Sequence, residues 1–345
     1  MMHMRHGSHT HSRRILGCAA GGLLAGAFAL LPQWAAGTAP TVSPPNLTPP
    51  TVPAEDAAEQ LAEVMVEAPE PRYVAPTRRD QIGRIWAPVF INGRGPFRLV
   101  LDTGASSSGV TAMVALALGI PTDQSPPVML RGVTGSAAVP TIRVDTLSVG
   151  DVAVDSPLLP IVPDALGGAE GVLGSEGLIN KRIFIDFRHD QISITYSRNE
   201  RSAHGFVTVP FRSIRGGQLI VVDAVIGTVH TKAIIDTGGQ ATIGNLALRN
   251  ALAQRNIGFH GRPDQIIGAT LAVEKGELIA TPAIQFGPIQ ILDSGVTFAD
   301  VSIFKRWRLT SEPAIMIGMD ALGTLDTLII DYRRHELQLR MPKSG

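Results

Sequence analysis

Phe97-Arg-Leu-Val-Leu-Asp102-Thr103-Gly104-Ala105 and Lys232-Ala-Ile-Ile-Asp236-Thr237-Gly238-Gly239 are the two stretches on which the reading turns. In each, a run of strand-forming apolar residues ends directly in Asp-Thr-Gly. The neighbours draw the aspartate towards the interior, where an unpartnered carboxylate costs on the order of several kcal/mol. Two carboxylates that face each other can instead share one proton and act as an acid–base pair. One copy alone reads equally well as a turn after a strand. Chance should supply this tripeptide only roughly once in several thousand positions at average composition, so two copies with matching flanks call for another explanation.

The flanks repeat as well. Upstream of the first copy, Arg84 to Ile91 reads as a strand. Asn92-Gly-Arg-Gly95 turns the chain, and Phe97 to Leu101 returns as a second strand. Leu219 to Ile226, the turn at Gly227 and Ala233 to Ile235 do the same before Asp236. A helical pattern follows each copy, Val110 to Leu118 and Asn245 to Gln254, closed by Gly119 and Gly258. Further on, Arg131-Gly132-Val133-Thr134-Gly135 matches Ile267-Gly268-Ala269-Thr270. Leu147 to Val152 matches Ile284 to Ile289, and Gly171-Val-Leu-Gly174 matches Met316-Ile-Gly318. Each series ends in an Ile-Asp-aromatic segment, at Asp186 and Asp331, where the carboxylate is expected to accept hydrogen bonds at a strand end rather than to do chemistry. The interval from aspartate to downstream glycine is about ten residues longer in the second copy, which a surface loop absorbs. The chain therefore reads as an all-β protein of two homologous lobes, residues 80–200 and 206–342.

Composition narrows the function classes. A chain of 345 residues accommodates two domains with their own cores. Thirty basic and thirty acidic residues balance, which gives no electrostatic case for nucleic acid or an anionic membrane surface. The single cysteine, Cys18, allows no intrachain disulfide and no CxxC metal or redox site. His3, His6, His9 and His11 crowd the N-terminus, while the other five histidines lack ligand spacing, so no metal is expected. Residues 1–37 read as an export signal. Arg13 and Arg14 precede an apolar stretch from Ile15 to Leu31, and Ala35-Ala36-Gly37 offers a cleavage site. Ser12-Arg-Arg-Ile-Leu16 also has twin-arginine character. Retention as a membrane anchor is the competing reading, because about 17 residues is the lower limit for a spanning helix. Either way a periplasmic or secreted location is expected. Residues 38–79 read as a Pro-rich linker with a short helix between Ala54 and Glu67.

The ordered set of motifs resembles the aspartic peptidases, specifically the retropepsin-like branch. The shared elements are two apolar residues before Asp-Thr-Gly-(Ala/Gly), a glycine-containing flap, and a later apolar-apolar-Gly leading into a short helix. Viral members assemble the site from two subunits; here one chain carries both halves over about residues 80–342, as bacterial secreted relatives do. The resemblance implies β-barrel lobes around an interlobe site, with Asp102 and Asp236 as the catalytic pair. It implies that Thr103 and Thr237 hydrogen-bond across to the opposite loop. Gly104 and Gly238 would let the backbone turn tightly and donate N–H groups to the carboxylates. Gly132, Val133 and Thr134, with Gly268, Ala269 and Thr270, are the flap candidates for holding an extended polypeptide substrate. Taken singly, these glycines read equally well as ordinary hairpin tips. No cofactor is implied, and because the lobes form their own pseudo-dimer, a monomer is expected.

Pepsin-like enzymes place a hydroxyl residue after Asp-Thr-Gly, whereas here Ala105 and Gly239 stand there. Losing a donor to the ionised form raises a carboxyl pKa, so a mildly acidic to near-neutral optimum is expected. Other chemistries fit poorly. Gly104 to Gly109 is one residue too long for a nucleophile elbow. Asn92 to Gly95 lacks the third glycine and following helix of a dinucleotide loop. Two non-enzymatic readings stay open, a peptide-binding protein that keeps the cleft and a membrane-tethered interaction protein.

Overall fold

Each Asp-Thr-Gly owes its position to a hairpin and to one parallel strand laid beside it. The computed structural model describes residues 74–76 and 83–342, except 156, 165, 199, 215–218, 256–259 and 293. The export segment, most of the linker with its expected helix, and the helix stop at Gly258 lie outside the described residues.

In the first lobe, Trp86–Ile91 and Arg94–Leu101 pair antiparallel, with Ala87 opposite Leu99 and Val89 opposite Phe97. Asn92 and Gly93 make the turn, both at positive φ (50° and 70°), the conformation that an Asn-Gly hairpin turn requires. The returning strand therefore starts at Arg94, earlier than the expected Phe97. Leu99, Val100 and Leu101 are almost fully buried. Gly171–Leu173 runs parallel to them, with Gly171 opposite Leu99 and Leu173 opposite Leu101. The Asp102 amide then donates to the Leu173 carbonyl (3.0 Å), which fixes the point where the chain leaves the sheet. These strands belong to a six-stranded sheet running from Gly109–Val110 at one edge to Val152–Asp155 at the other.

The second lobe repeats the arrangement. Leu219–Ile226 pairs with Val229–Ile235, and Ala314–Ile317 lies parallel to the latter with Ile317 opposite Ile235. The Asp236 amide donates to the Ile317 carbonyl at 3.0 Å. A helix follows each Asp-Thr-Gly. Ala112–Leu118 is closed by Gly119 in the left-handed region, and Leu246–Ala253 starts at Asn245, whose side chain accepts from the Leu248 amide.

A further six-stranded sheet joins the two lobes. Its order is Val74–Pro76, Gln191–Tyr196, Lys181–Asp186, Thr327–Asp331, Glu336–Arg340 and Val207–Pro210. At its centre Ile183 faces Ile330 and Ile185 faces Leu328, all four fully buried. Burying four branched aliphatic chains contributes about 1.5–3 kcal/mol each as an upper estimate. Asp186 and Asp331 sit at strand ends here. Asp186 accepts from the Arg188 and His189 amides, and Asp331 from the Arg182 guanidinium, the Ser197 hydroxyl and the Arg334 amide.

Two expectations need correction. The folded region begins before the Asp80 boundary, because Val74–Pro76 adds to the edge of the shared sheet, with Val74 opposite Ser193. The helix expected after each downstream glycine forms only in the second lobe, as Met319–Leu322. After Gly174 the chain makes turns instead, since Gly177 and Asn180 adopt left-handed φ values of 77° and 66° that no helix tolerates.

Candidate active site

The strand register delivers Asp102 and Asp236 to one point between the lobes, and two threonines hold them there. The Thr103 amide donates to the Thr237 hydroxyl and the Thr237 amide to the Thr103 hydroxyl, both at 3.1 Å. Each hydroxyl in turn donates to a carbonyl of the opposite lobe, Thr103 to Ile235 and Thr237 to Leu101, at 2.7 Å. Both threonines are completely buried. Every donor and acceptor in the lattice is thus satisfied away from water, which is the condition for a buried polar network to stabilise rather than destabilise.

The carboxylates are held by backbone donors. Asp102 Oδ1 accepts from the Gly104 and Ala105 amides (2.8 and 2.9 Å), and Asp236 Oδ1 from the Gly238 and Gly239 amides (both 3.0 Å). The two side chains lie side by side: a Cβ on Gly104 would be 3.0 Å from Asp236 Oδ1 and 3.2 Å from Asp102 Oδ1. The glycines are steric requirements. A Cβ on Gly238 would lie 2.2 Å from Asp102 Cγ, and one on Gly104 would lie 3.0 Å from Asp236 Oδ1.

Burial pushes the Asp102 carboxyl up, opposed by the Gly104 and Ala105 amides, the neighbouring Asp236 carboxyl and the charge of Arg84. Burial and the neighbouring charge of Asp102 push Asp236 up as well, to about 8. Two acids this close do not readily ionise together, so loss of the first proton holds the second on the pair. Asp236 is only 5 % exposed, while Asp102 is half-buried.

The flap candidates also come together. Val128–Arg131 with Ser136–Val139 forms one hairpin, and Arg262–Ile267 with Val273–Ala280 the other. Their tips meet: the Gly268 amide donates to the Thr134 hydroxyl (3.0 Å), which donates to the Ala272 carbonyl (2.6 Å). Gly132 lies so close to Ala269 and Thr270 that an added Cβ would come within 3.4 Å of both. The Val133 carbonyl accepts from the Ile303 amide at 3.1 Å, so the first flap also rests on the second lobe's helix Ser302–Trp307.

Sequence reasoning missed five residues that support the site. The sixth residue after each aspartate is a hydroxyl, Ser108 or Thr242, and the second after each downstream glycine is an acid, Glu176 or Asp320. Glu176 accepts from the Ser108 amide (2.5 Å) and Asp320 from the Thr242 amide (2.9 Å). The hydroxyls accept from the Gly174 and Gly318 amides (3.0 and 3.2 Å), tying each Asp-Thr-Gly loop to its downstream glycine. Equal spacing in both halves was the available signal. The fifth is Arg84, 93 % buried and without a counterpart in the other half. Among the described residues no group of three or more His, Cys, Asp or Glu could hold a metal, and no helix is long and apolar enough to cross a membrane.

Two β-lobes thus share a sheet, with the Asp102 and Asp236 carboxyl groups at the point where they meet. Residues 87–176 match the family model described as aspartyl protease. The chain is also similar to two solved seed proteins. One is conglutin gamma, a basic 7S globulin from lupine seeds, at 12 % identity over 78 % of this chain and 94 % of that one, with a TM-score of 0.44. The other is the basic 7S globulin from soybean, at 11 % identity over 78 % and 96 %, with a TM-score of 0.42. No curated protein sequence matches the chain.

Proposed function

We propose that this protein is a single-chain aspartic endopeptidase that hydrolyses peptide bonds with water activated by Asp102 and Asp236. The observation that carries the proposal is the threonine lattice, which holds two neighbouring carboxyl groups of raised pKa against each other. In the monoprotonated pair, the ionised carboxylate takes a proton from a water lying between the two groups. That water attacks the scissile carbonyl, whose oxygen the protonated carboxyl polarises. The resulting tetrahedral species collapses as a proton passes to the leaving amine. Oriented N–H groups from the following glycines and Ala105 hold both carboxylates with no reorganisation during the reaction.

The flap hairpins support a polypeptide substrate in extended form, since an extended chain can pair with exposed hairpin backbone. The export signal read in residues 1–37 supports a periplasmic or secreted location for this activity. N-terminal mass spectrometry of the native protein checks that assignment.

Cleavage of a peptide library by the wild type, Asp102→Asn and Asp236→Asn tests the reading. Cleavage by the wild type alone is expected, with each substitution lowering kcat by about 100- to 10,000-fold. Undiminished cleavage by either variant would overturn the two-carboxylate mechanism. Peptide binding without cleavage by the wild type would favour the peptide-binding protein.

A further inference from the structure

The two halves of the site differ in what lies across the sheet from each aspartate. Trp86 pairs with Val100, and the Leu101 amide donates to the Ile85 carbonyl at 2.9 Å. Extended one pair beyond the end of the ladder, this register would bring Arg84 opposite Asp102, and the Arg84 charge acts on that carboxyl. Arg84 is 7 % exposed, so little solvent screens it. In the second lobe Val221 pairs with Ile234, and the same extension sets Leu219, also buried, opposite Asp236. The charge of a buried cation thus acts on one carboxyl, while the matching position in the other lobe holds a hydrocarbon.

We propose that Arg84 is a positioning residue that breaks the symmetry of the pair, holding the negative charge on Asp102 and leaving the proton on Asp236. This rests on the peptidase reading, in which Asp102 then serves as the general base and Asp236 as the acid that polarises the carbonyl. The charged and titratable groups that act on Asp102 are Asp236 from the facing loop, Arg84 from the neighbouring strand and Tyr332 from the shared sheet. The phenol of Tyr332, held above its ordinary range by burial and by the Asp102 charge, stays neutral and does not compete. Asp102 is also the more exposed of the two, which favours its ionised form in the same sense.

A charge cycle separates Arg84 from that exposure. With carbon-13-labelled aspartate, Asp102 is titrated by NMR in the Asp236→Asn background and Asp236 in the Asp102→Asn background, each with and without Arg84→Met. Methionine keeps much of the side-chain length and apolar packing. The expected result is a rise of about one unit or more in the Asp102 midpoint on removing the cation, and a clearly smaller change at Asp236. Arg84→Lys should restore most of the original Asp102 midpoint, which loss of packing alone would not do. In the otherwise wild-type enzyme, Arg84→Met should move the acid limb of kcat/KM upwards. Equal shifts at the two aspartates, or none at Asp102, would overturn the proposal. The NMR arm needs no turnover. A wild type that cleaves nothing would sink the peptidase reading and leave this result standing.

Discussion

Thr103 and Thr237 each donate a backbone N–H to the other's hydroxyl, at 3.1 Å in both directions, so neither lobe's loop is complete without the other. Replacing one threonine by valine keeps the volume and strands the partner's buried amide. An unsatisfied buried group costs about 1–3 kcal/mol, and the double variant should cost less than the sum of the two single ones. Urea unfolding of the three variants measures this; strict additivity would mean that the two residues act independently.

Stability should fall as pH rises across the range in which the pair titrates. Asp236 has an ordinary value of 3.8 and is pushed up to about 8 in the folded protein. The folded state therefore holds a proton that the unfolded chain has already released. The stabilisation is full below about 3.8, declines between 3.8 and about 8, and is gone above that. Asp236→Asn should flatten this part of the pH–stability curve and leave the rest unchanged, as followed by thermal unfolding in a pH series.

Activity should peak at mildly acidic to near-neutral pH, because both carboxyl groups are raised and neither has a hydroxyl from the residue after its glycine. A maximum below about pH 3.5 would contradict this. Ala105→Ser should lower the acid limb by giving Asp102 a further donor. The matching change at Gly239 is a poor test, since an added Cβ would lie 2.8 Å from Asp236 Oδ2.

The glycines behind the carboxylates should rank by clearance. Gly238→Ala drives a methyl against Asp102 Cγ and should abolish activity. Gly104→Ala meets Asp236 Oδ1 at 3.0 Å and should leave a measurable residue of it. Overpacking costs about 1–3 kcal/mol, so both variants should stay folded. Circular dichroism with kcat on one reporter peptide gives the ranking.

Thr134→Val should loosen the flaps. The hydroxyl lost is the one that joins Gly268 and Ala272 to the first flap tip. KM for a peptide should rise several-fold while kcat changes little, because the reacting carboxylates are untouched.

Most of the fold was legible because the chain states it twice. An apolar run, Asp-Thr-Gly, a helix, a flap and a glycine strand recur in order, and each repeat anchored the reading of the other. What escaped depended on partners far apart in sequence. Nothing near Val74–Pro76 marks it as a strand; it becomes one because Gln191–Tyr196 presents an open edge. Arg84 looks like an ordinary surface residue at the start of a strand. Only its burial, and the pairing of the residues just after it with the strand ending at Leu101, show that its charge acts on Asp102. The Ser108–Glu176 and Thr242–Asp320 ties were hidden because hydroxyls and acids are common in loops, and their equal spacing means something only once the loops are seen to touch.

The sheet that pairs Lys181–Asp186 with Thr327–Asp331 also bears on the kinetics of assembly. Halves that must find one another by diffusion come apart on dilution, and their activity then falls with the square of concentration. Here the tether between the halves replaces that encounter with a high effective concentration within one molecule. The site should consequently persist at enzyme concentrations far below those at which a two-subunit counterpart would dissociate.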